Sequence, residues 1–483
     1  MNIGKEYGRR LKGGLRVCMI GVAVYFFLTF MFRFLAGDQL MYRESRGNLG
    51  LPEAKASAVE LTKDIVVEQH FSVKIQRLEA ISVQWAAYYR TNVGTVTIEL
   101  IDGRDGAELM SGRFDVSGIQ EGQLLAIHSD ALLEGLYDAP LILRIYADSV
   151  AGSAVAPLIT NAPFEGMTLW LNGVEIPGML CFSVSGTDYI WTGLHYWLFV
   201  AIGAAILALF FTAVLHRYVH GKHSYVVNAL IAVKKYQFLI QQLVSRDFKT
   251  KYKRSVLGVF WSFLNPLLMM SVQYFVFSSV FQSDVQNFPA YLLLGVVVFN
   301  FFSEACGMSL TAILSNASLI TKVYVPKYIY PLTRVMSSLV NLSISLIPLF
   351  CVCFATGVVF KKSIILSVYF LFCLVIFCLG LGLLLSSSMV FFRDTQFLWN
   401  VMNMVWMYAT PIFYPETILP NNFRLILQIN PLYHFLKNIR VCVLEGISPE
   451  PLVYFQCLMI AIAMLLVGSV IFWKNQDKFA LCL

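Results

Sequence analysis

Between positions 246 and 254 the chain reads RDFKTKYKR, packing Arg246, Lys249, Lys251, Lys253 and Arg254 around one carboxylate, Asp247, before turning apolar for a membrane's width. The chemistry of such a run is that of charge: cations at the foot of an apolar segment suit anionic lipid headgroups. Catalytic motifs are missing. The sequence holds no G-x-x-x-x-G-K-[ST] loop to cradle a nucleotide's phosphates, no H-E-x-x-H and no G-x-S-x-G. The chain is therefore expected to hydrolyse no ATP itself and to need no cofactor or metal of its own. His216, His220 and His223 are spaced closely enough to suggest a metal site. Their place just past an apolar segment favours polar headgroup contacts instead. Seven of the ten cysteines fall in apolar stretches, and Cys351-Val-Cys353 has the wrong spacing for a zinc or redox pair. Packing in lipid, not a disulfide framework, is their expected use.

The elements that must position these residues follow from composition. With 58% hydrophobic and 13% charged residues and a mean hydropathy of +0.67, 483 residues cannot hide their apolar segments in a soluble core. Stretches of 18 or more mostly apolar residues lie near 17–35, 196–215, 256–281, 290–314, 332–358, 363–391 and 451–473, with a shorter one near 397–413. The pattern predicts an α-helical multi-spanning membrane protein of about eight spans, six of them in a C-terminal core at 256–483. The first span, 1–36 with its leader, reads as an uncleaved signal anchor. Lys5, Arg9, Arg10, Lys12 and Arg16 before it place the N-terminus in the cytoplasm.

Residues 37–192 have another character. Ten Lys/Arg stand there against twenty Asp/Glu, a net charge of −10 in a chain whose total is +7. Basic clusters beyond both flanking spans make this segment extracytoplasmic, with 193–216 returning through the membrane and 217–255 cytoplasmic. GTVTIELIDGRDGAELMSGRFD puts Val96, Ile98 and Leu100 on one strand face and turns at Asp102-Gly103 and Asp105-Gly106. Repeated runs of this kind predict an antiparallel β-sandwich. ISVQWAAYYRTNVGTVTIELID also resembles jelly-roll modules of the galactose-binding type found in surface-polysaccharide proteins. That implies glycan contact through Trp85, Tyr88, Tyr89 or Arg90, the alternative being that these are core and edge residues of the sandwich.

After the second span, Val226, Leu230, Val233, Tyr236, Ile240 and Leu243 recur at helical spacing, predicting a helix lying in the membrane interface. The run that follows it, RDFKTKYKRSVLGVFWSFLNP (246–266), resembles the entry signature of ABC-2 type permeases that export O-antigen, capsular polysaccharide and teichoic acid. LITKVYVPKYIYPLTR (319–334), FFRD (391–394), TPIFYPETILP (410–420) and INPLYHFLKNIR (429–440) resemble further motifs of that family, in order. The resemblance covers about residues 230–483. The anchor, sandwich and second span are a departure from it.

The resemblance implies a transport subunit working as a homodimer with two copies of a separate ATPase, which would hold the ATP and Mg. It further implies a lipid-linked glycan as substrate, membrane lipids as neighbours, no nucleic acid, and residence in the cytoplasmic membrane of a bacterium. Arg246, Asp247, Lys249, Tyr252, Arg254, Lys322, Pro326 and Lys327 are then the candidates for ATPase coupling. A sugar pathway needs aromatic faces and hydrogen bonds, and the short span offers Trp399, Asn403, Trp406 and Tyr408, the first three on one helical face. Pro411, Tyr414, Pro415, Asn430 and Pro431 break the helical pattern. Irregular backbone at membrane depth must be buried in protein or line an aqueous cavity, so two short re-entrant helices are expected near the pathway exit. The same core also suits export of a smaller lipid or drug. Outside transport, the sandwich suits a membrane-anchored glycan-binding or assembly protein.

Overall fold

A computed structural model describes residues 2–49, 56–57, 59–160, 166–219, 234–253, 256–281, 287–322, 325–416 and 423–482. The chain divides into two units, Met1–Leu40 with His195–Leu483, and Met41–Leu194.

The first unit is helical. Its long helices are α1 (Asn2–Ala36), α2 (Tyr196–Val219), α3 (Gln237–Tyr252), α4 (Phe260–Phe281) and α5 (Phe288–Leu310). The short α6 (Ala317–Lys322) leads to α7 (Ile329–Ala355) and α8 (Ser367–Phe391). There follow α9 (Thr395–Ala409), α10 (Arg424–Ile429), α11 (Pro431–Arg440) and α12 (Pro451–Asn475). Among the described residues seven helices are long and apolar enough to cross a membrane. The expected shorter span is α9: its 15 residues reach only about 22 Å at the α-helical rise, short of the hydrocarbon thickness.

The helical core centres on α5, most of whose side chains are buried, among them Leu292, Leu293, Phe302 and Cys306. Helices α8 and α12 pack so closely that a Cβ added at Gly468 would fall on the carbonyl oxygen of Gly380. Lipid offers no hydrophobic drive for helix pairing, so close backbone approach is a principal source of their attraction. Tyr369 Oη donates to the Tyr454 carbonyl at 2.9 Å beside this seam. Gly468→Val is expected to push the helices apart, and overpacking of this kind costs about 1–3 kcal/mol. The detergent-solubilised variant should melt several degrees lower, and an unchanged melting temperature would refute the seam. The two N-terminal spans also join this core: Tyr25 Oη donates to Val200 O at 2.9 Å, Tyr196 Oη to Thr29 O at 2.6 Å, and Phe32 meets Tyr454 edge-on at 4.7 Å.

The second unit is an antiparallel β-sandwich. Its strands are β1 (Tyr42–Leu49), β2 (Ala56–Ser57), β3 (Val66–Ser72), β4 (Arg77–Ala86), β5 (Thr95–Asp102), β6 (Glu108–Asp115) and β7 (Leu124–Glu134). After them come β8 (Pro140–Ala147), β9 (Ala156–Thr160), β10 (Thr168–Leu171), β11 (Val174–Ile176), β12 (Met179–Leu180) and β13 (Phe182–Tyr189). One sheet runs β1-β13-β4-β9-β12, with β2 on β9 and β7 on β4, and the other runs β11-β10-β3-β8-β5-β6. Val96, Ile98 and Leu100 are fully buried between the sheets, as their alternation predicts. The β5–β6 turn closes where expected, with Gly106 N–H donating to Asp102 O at 2.8 Å. Arg104, bonded to the Asp102 side chain at 2.6 Å, holds that carboxyl below the usual carboxylate range.

Candidate functional site

Helix α3 carries the basic run, and the structure joins it to the segment around VPKYIYP. Ile240 of α3 buries against Val325 and Ile329, and Leu243 against Ala312, Ile313 and Tyr330. At those two positions the stripe's apolar side chains pack on protein. Val226, Leu230, Val233, His220 and His223 lie outside the described residues, and His216 stands near the end of α2.

Polar contacts fasten the same joint. Asp247, its side chain 5% exposed, pairs with Arg334 Nη1 of α7 at 2.8 Å and accepts from Ser337 Oγ at 3.3 Å. Arg246 spans from Asp247 to Asn316 Oδ1, at 3.3 and 3.2 Å. One turn on, Lys251 reaches Glu304 of α5 at 2.6 Å, and Asn341 Nδ2 donates to the same Glu304 oxygen at 2.8 Å. Of the other coupling candidates, Lys249 and Lys322 are exposed and Pro326 is half-buried. Lys327 donates to Gln476 O and lies 5.8 Å over the Phe479 ring, so it is tied to the C-terminal segment. The Tyr252 side chain and Arg254 lie outside the described residues.

Two adjoining cavities open beside this joint. The first, of about 490 Å³, is walled by Arg246, Asp247, Lys251, Glu304, Arg334 and Asn341 among others. The second, of about 320 Å³, shares Lys251, Glu304 and Asn341 and continues along Asn265, Asn300 and Ser303. Ionisable and amide groups are costly in hydrocarbon and persist there where they pair or face water. The seam from Arg246 to Asn300 does both, with donors and acceptors suited to hydroxyls and to an anionic head group. Glu304, Asn300 and Asn265 escaped the sequence reading, although a carboxylate inside an apolar span was the signal that could have found them.

The short helix α9 turns out otherwise than expected. Trp399, Asn403 and Trp406 do share one face, but it is the inward one. Trp399 is 6% exposed against Phe302, Asn403 Nδ2 donates to Ser303 Oγ at 2.9 Å, and Trp406 Nε1 donates to Asn430 Oδ1 at 3.0 Å. Helical spacing fixes which residues align, while burial of the bulkiest rings decides which way they turn. Tyr408 is exposed, with Phe397, Val401 and Met404 on the open side.

The breaks after α9 assemble as the prolines suggest. Asn430 caps α11, accepting from Leu432 N–H at 3.1 Å, while its Nδ2 donates to Thr410 Oγ1 at 2.9 Å, and Pro431 takes the first helical position. The buried Arg440 donates to the carbonyls of Pro411, Ile412 and Tyr291 at 2.6, 3.0 and 3.2 Å, and its guanidinium lies 3.5 Å over the Tyr291 ring. Tyr291 Oη in turn donates to Tyr414 O at 2.9 Å. Pro415 joins Tyr291, Glu416, Lys437 and Arg440 around a cavity of about 430 Å³. Arg440 and Asn430 thus tie α11 to the irregular segment after α9, at Pro411, Ile412 and Thr410.

The sandwich candidates separate. Trp85 is fully buried in the sandwich core and offers no face to a sugar, which corrects that expectation. Tyr88 and Tyr89 both take left-handed backbone, φ 59° and 51°, while Glu121 Oε2 accepts from the N–H groups of Ala87 and Tyr88, each at 2.8 Å. Arg90 stacks 4.9 Å over Tyr88 and pairs with Glu60 at 2.7 Å. Only Tyr89, 92% exposed, presents an open ring.

Comparison with known proteins bears on the helical unit. Residues 238–444 match the family model of the ABC-2 type transporter, a span that holds α4–α11, the polar seam and the arginine-held breaks. The chain carries an ABC-2 type transporter domain. Around this ABC-2 domain the chain is 29% identical over 248 residues to the O-antigen export system permease protein RfbA of Myxococcus xanthus, covering 51% of this chain and 95% of that protein. It is 28% identical to the RfbA protein of Klebsiella pneumoniae over 244 residues, covering 50% and 93%, and 22% identical to the polysialic acid transport protein KpsM of Escherichia coli over 242 residues, covering 49% and 93%. With seven apolar helices among the described residues, four of them inside the ABC-2 domain, the protein is a multi-pass membrane protein.

Proposed function

We propose that the chain is the permease of an ATP-driven exporter of a cell-surface polysaccharide, of the O-antigen or capsule kind, in a bacterial inner membrane. One observation carries the reading: nearly the whole length of an O-antigen export permease aligns with the ABC-2 part of this chain. The sequence offers no phosphate-binding loop, so the energy comes from a separate ATPase, in two copies against a permease homodimer. The α3 joint, cytoplasmic by its basic charge, is the surface that would receive it. Motion of α3 would reach the spans through Asp247–Arg334 and Lys251–Glu304, ion pairs that cross from α3 into α7 and α5. The polar seam would meet the glycan's polar end on the same side, and the Arg440-held breaks would stand at the exit, with the sandwich beyond the membrane.

Expressed alone, the purified chain is expected to show no ATP hydrolysis. Co-expressed with the ATPase subunit of a polysaccharide exporter, it should copurify and stimulate polymer export from the host. Robust hydrolysis by the pure chain, or no association with any ATPase, would remove the reading.

A further inference from the structure

The sandwich holds a cleft that transport by the helical unit does not use. Near the end of β13 and the β7–β8 turn lies a hollow of about 440 Å³, walled by Tyr137, Tyr189, Trp191 and Leu194 together with Gln76 and Glu134. Its size falls within the range of about 300–1,000 Å³ usual for small-ligand sites. Two of its rings are exposed to the hollow's mouth, Trp191 at 61% and Tyr137 at 55%. Tyr189 and Gln76 are fixed by hydrogen bonds. Tyr189 Oη donates to Glu134 Oε1 at 2.5 Å, and its ring stands 5.4 Å from that of Tyr42. Gln76 is fixed at both ends: its N–H donates to Asp188 Oδ1, and its Oε1 accepts from Tyr189 N–H, each at 2.8 Å. Among the described residues nothing accepts from Gln76 Nε2, and nothing donates to the second Glu134 oxygen.

We propose that this cleft binds a neutral, hydroxyl-rich glycan, its sugar rings stacked on Trp191 and Tyr137, with Gln76 donating to one hydroxyl and Glu134 accepting from another. Sugars present apolar C–H faces that lie on aromatic rings, and their hydroxyls need fixed partners of both kinds. The charge of the segment selects against polyanions, since residues 37–192 hold twenty Asp/Glu against ten Lys/Arg. Trp191 stands five residues before the span that starts at Tyr196, where aromatic belts form at membrane surfaces. A belt needs rings alone, however, whereas this concavity adds a braced amide and a carboxylate that anionic headgroups would repel. The proposal rests on the polysaccharide reading only for where the sugar comes from.

The test uses the full chain in nanodiscs, titrated with neutral tetrasaccharides of glucose, mannose and galactose and with a sialic-acid tetramer, and read by calorimetry. At least one neutral tetramer should bind and the anionic one should not. Trp191→Ala and Tyr137→Ala should each weaken binding by about ten-fold, the scale of a lost aromatic stack. Trp191→Phe and Tyr137→Phe, which keep a ring, should restore most of it and show that the site is folded. Failure of every neutral tetramer to bind, equal binding by the alanine variants, or binding in micelles that vanishes in nanodiscs would each overturn the proposal, the last by showing lipid over the cleft. ATPase copurification from the same preparations keeps this outcome apart from the transport reading, because it does not depend on the cleft.

Discussion

Replacing Asp247 with alanine is expected to destabilise the helical unit by about 3–5 kcal/mol, the cost of leaving a buried charge without its partner. The carboxylate is 5% exposed and meets Arg334, whose side chain is 14% exposed, at 2.8 Å, with Ser337 on the same oxygen. Its removal leaves the Arg334 guanidinium in a site built for an ion pair and lets Arg246 keep only its bond to Asn316. The double variant D247A/R334A should be less damaged than the sum of the two single ones, because it carries no orphaned charge. Melting temperatures of the four proteins in one detergent decide the matter: additive losses would mean that the two residues do not act as a pair. ATPase activity of the complex, measured at a temperature where D247A is folded, should respond poorly to polymer, since an ion pair between α3 and the spans is gone. A D247A complex as responsive as the parent would assign coupling to Lys251–Glu304 alone.

The second large effect is expected at Arg440. Arg440→Ala would strip the guanidinium from the buried carbonyls of Pro411, Ile412 and Tyr291, leaving Pro411 O only the 3.3 Å bond from Tyr291 Oη, and a buried polar group left unsatisfied costs about 1–3 kcal/mol. Lysine should not rescue it, since a single ammonium lacks the planar fork that reaches three carbonyls while lying over the Tyr291 ring. Gly295→Ala provides an independent approach to the same site: its Cβ would stand 2.6 Å from Arg440 Nη2 and 3.0 Å from Ile412 Cγ2. Both variants are expected to abolish export and to open the chain near Pro415 to limited proteolysis, with G295A the milder. Full export by R440A would show that the backbone breaks hold themselves.

Much of this architecture is visible in the sequence, for reasons that are physical. A span is read from one continuous apolar run, and all seven helices that qualify were found that way. The sandwich shows itself in alternation such as Val96, Ile98 and Leu100. Its strand order does not, because β1 pairs with β13, and β3 with β8, across long sequence separations that no local pattern encodes. The site divides similarly. Asn430 and Pro431 are legible as a break in the helical pattern through local rules, although the cap that Asn430 makes on α11 is not. Lys251 and Glu304 are 53 residues apart, and nothing near either names the other. Trp399, Asn403 and Trp406 show the limit of periodicity: the shared face was legible, but whether it looked toward protein or away depended on α5, which offered Phe302 and Ser303 to receive it.

The pairing of β1 with β13 has a consequence for the chain's handling. Tyr42 and Tyr189 are register partners, about 5 Å apart as antiparallel neighbours are, so the sandwich begins and ends at a single point. Helices α1 and α2, which lead to and from that point, are already bound to each other through Tyr25 and Tyr196. A few residues of loop could replace everything between them and leave a complete helical hairpin. The sandwich is thus an insertion whose two ends adjoin, closed by its own β1–β13 ladder.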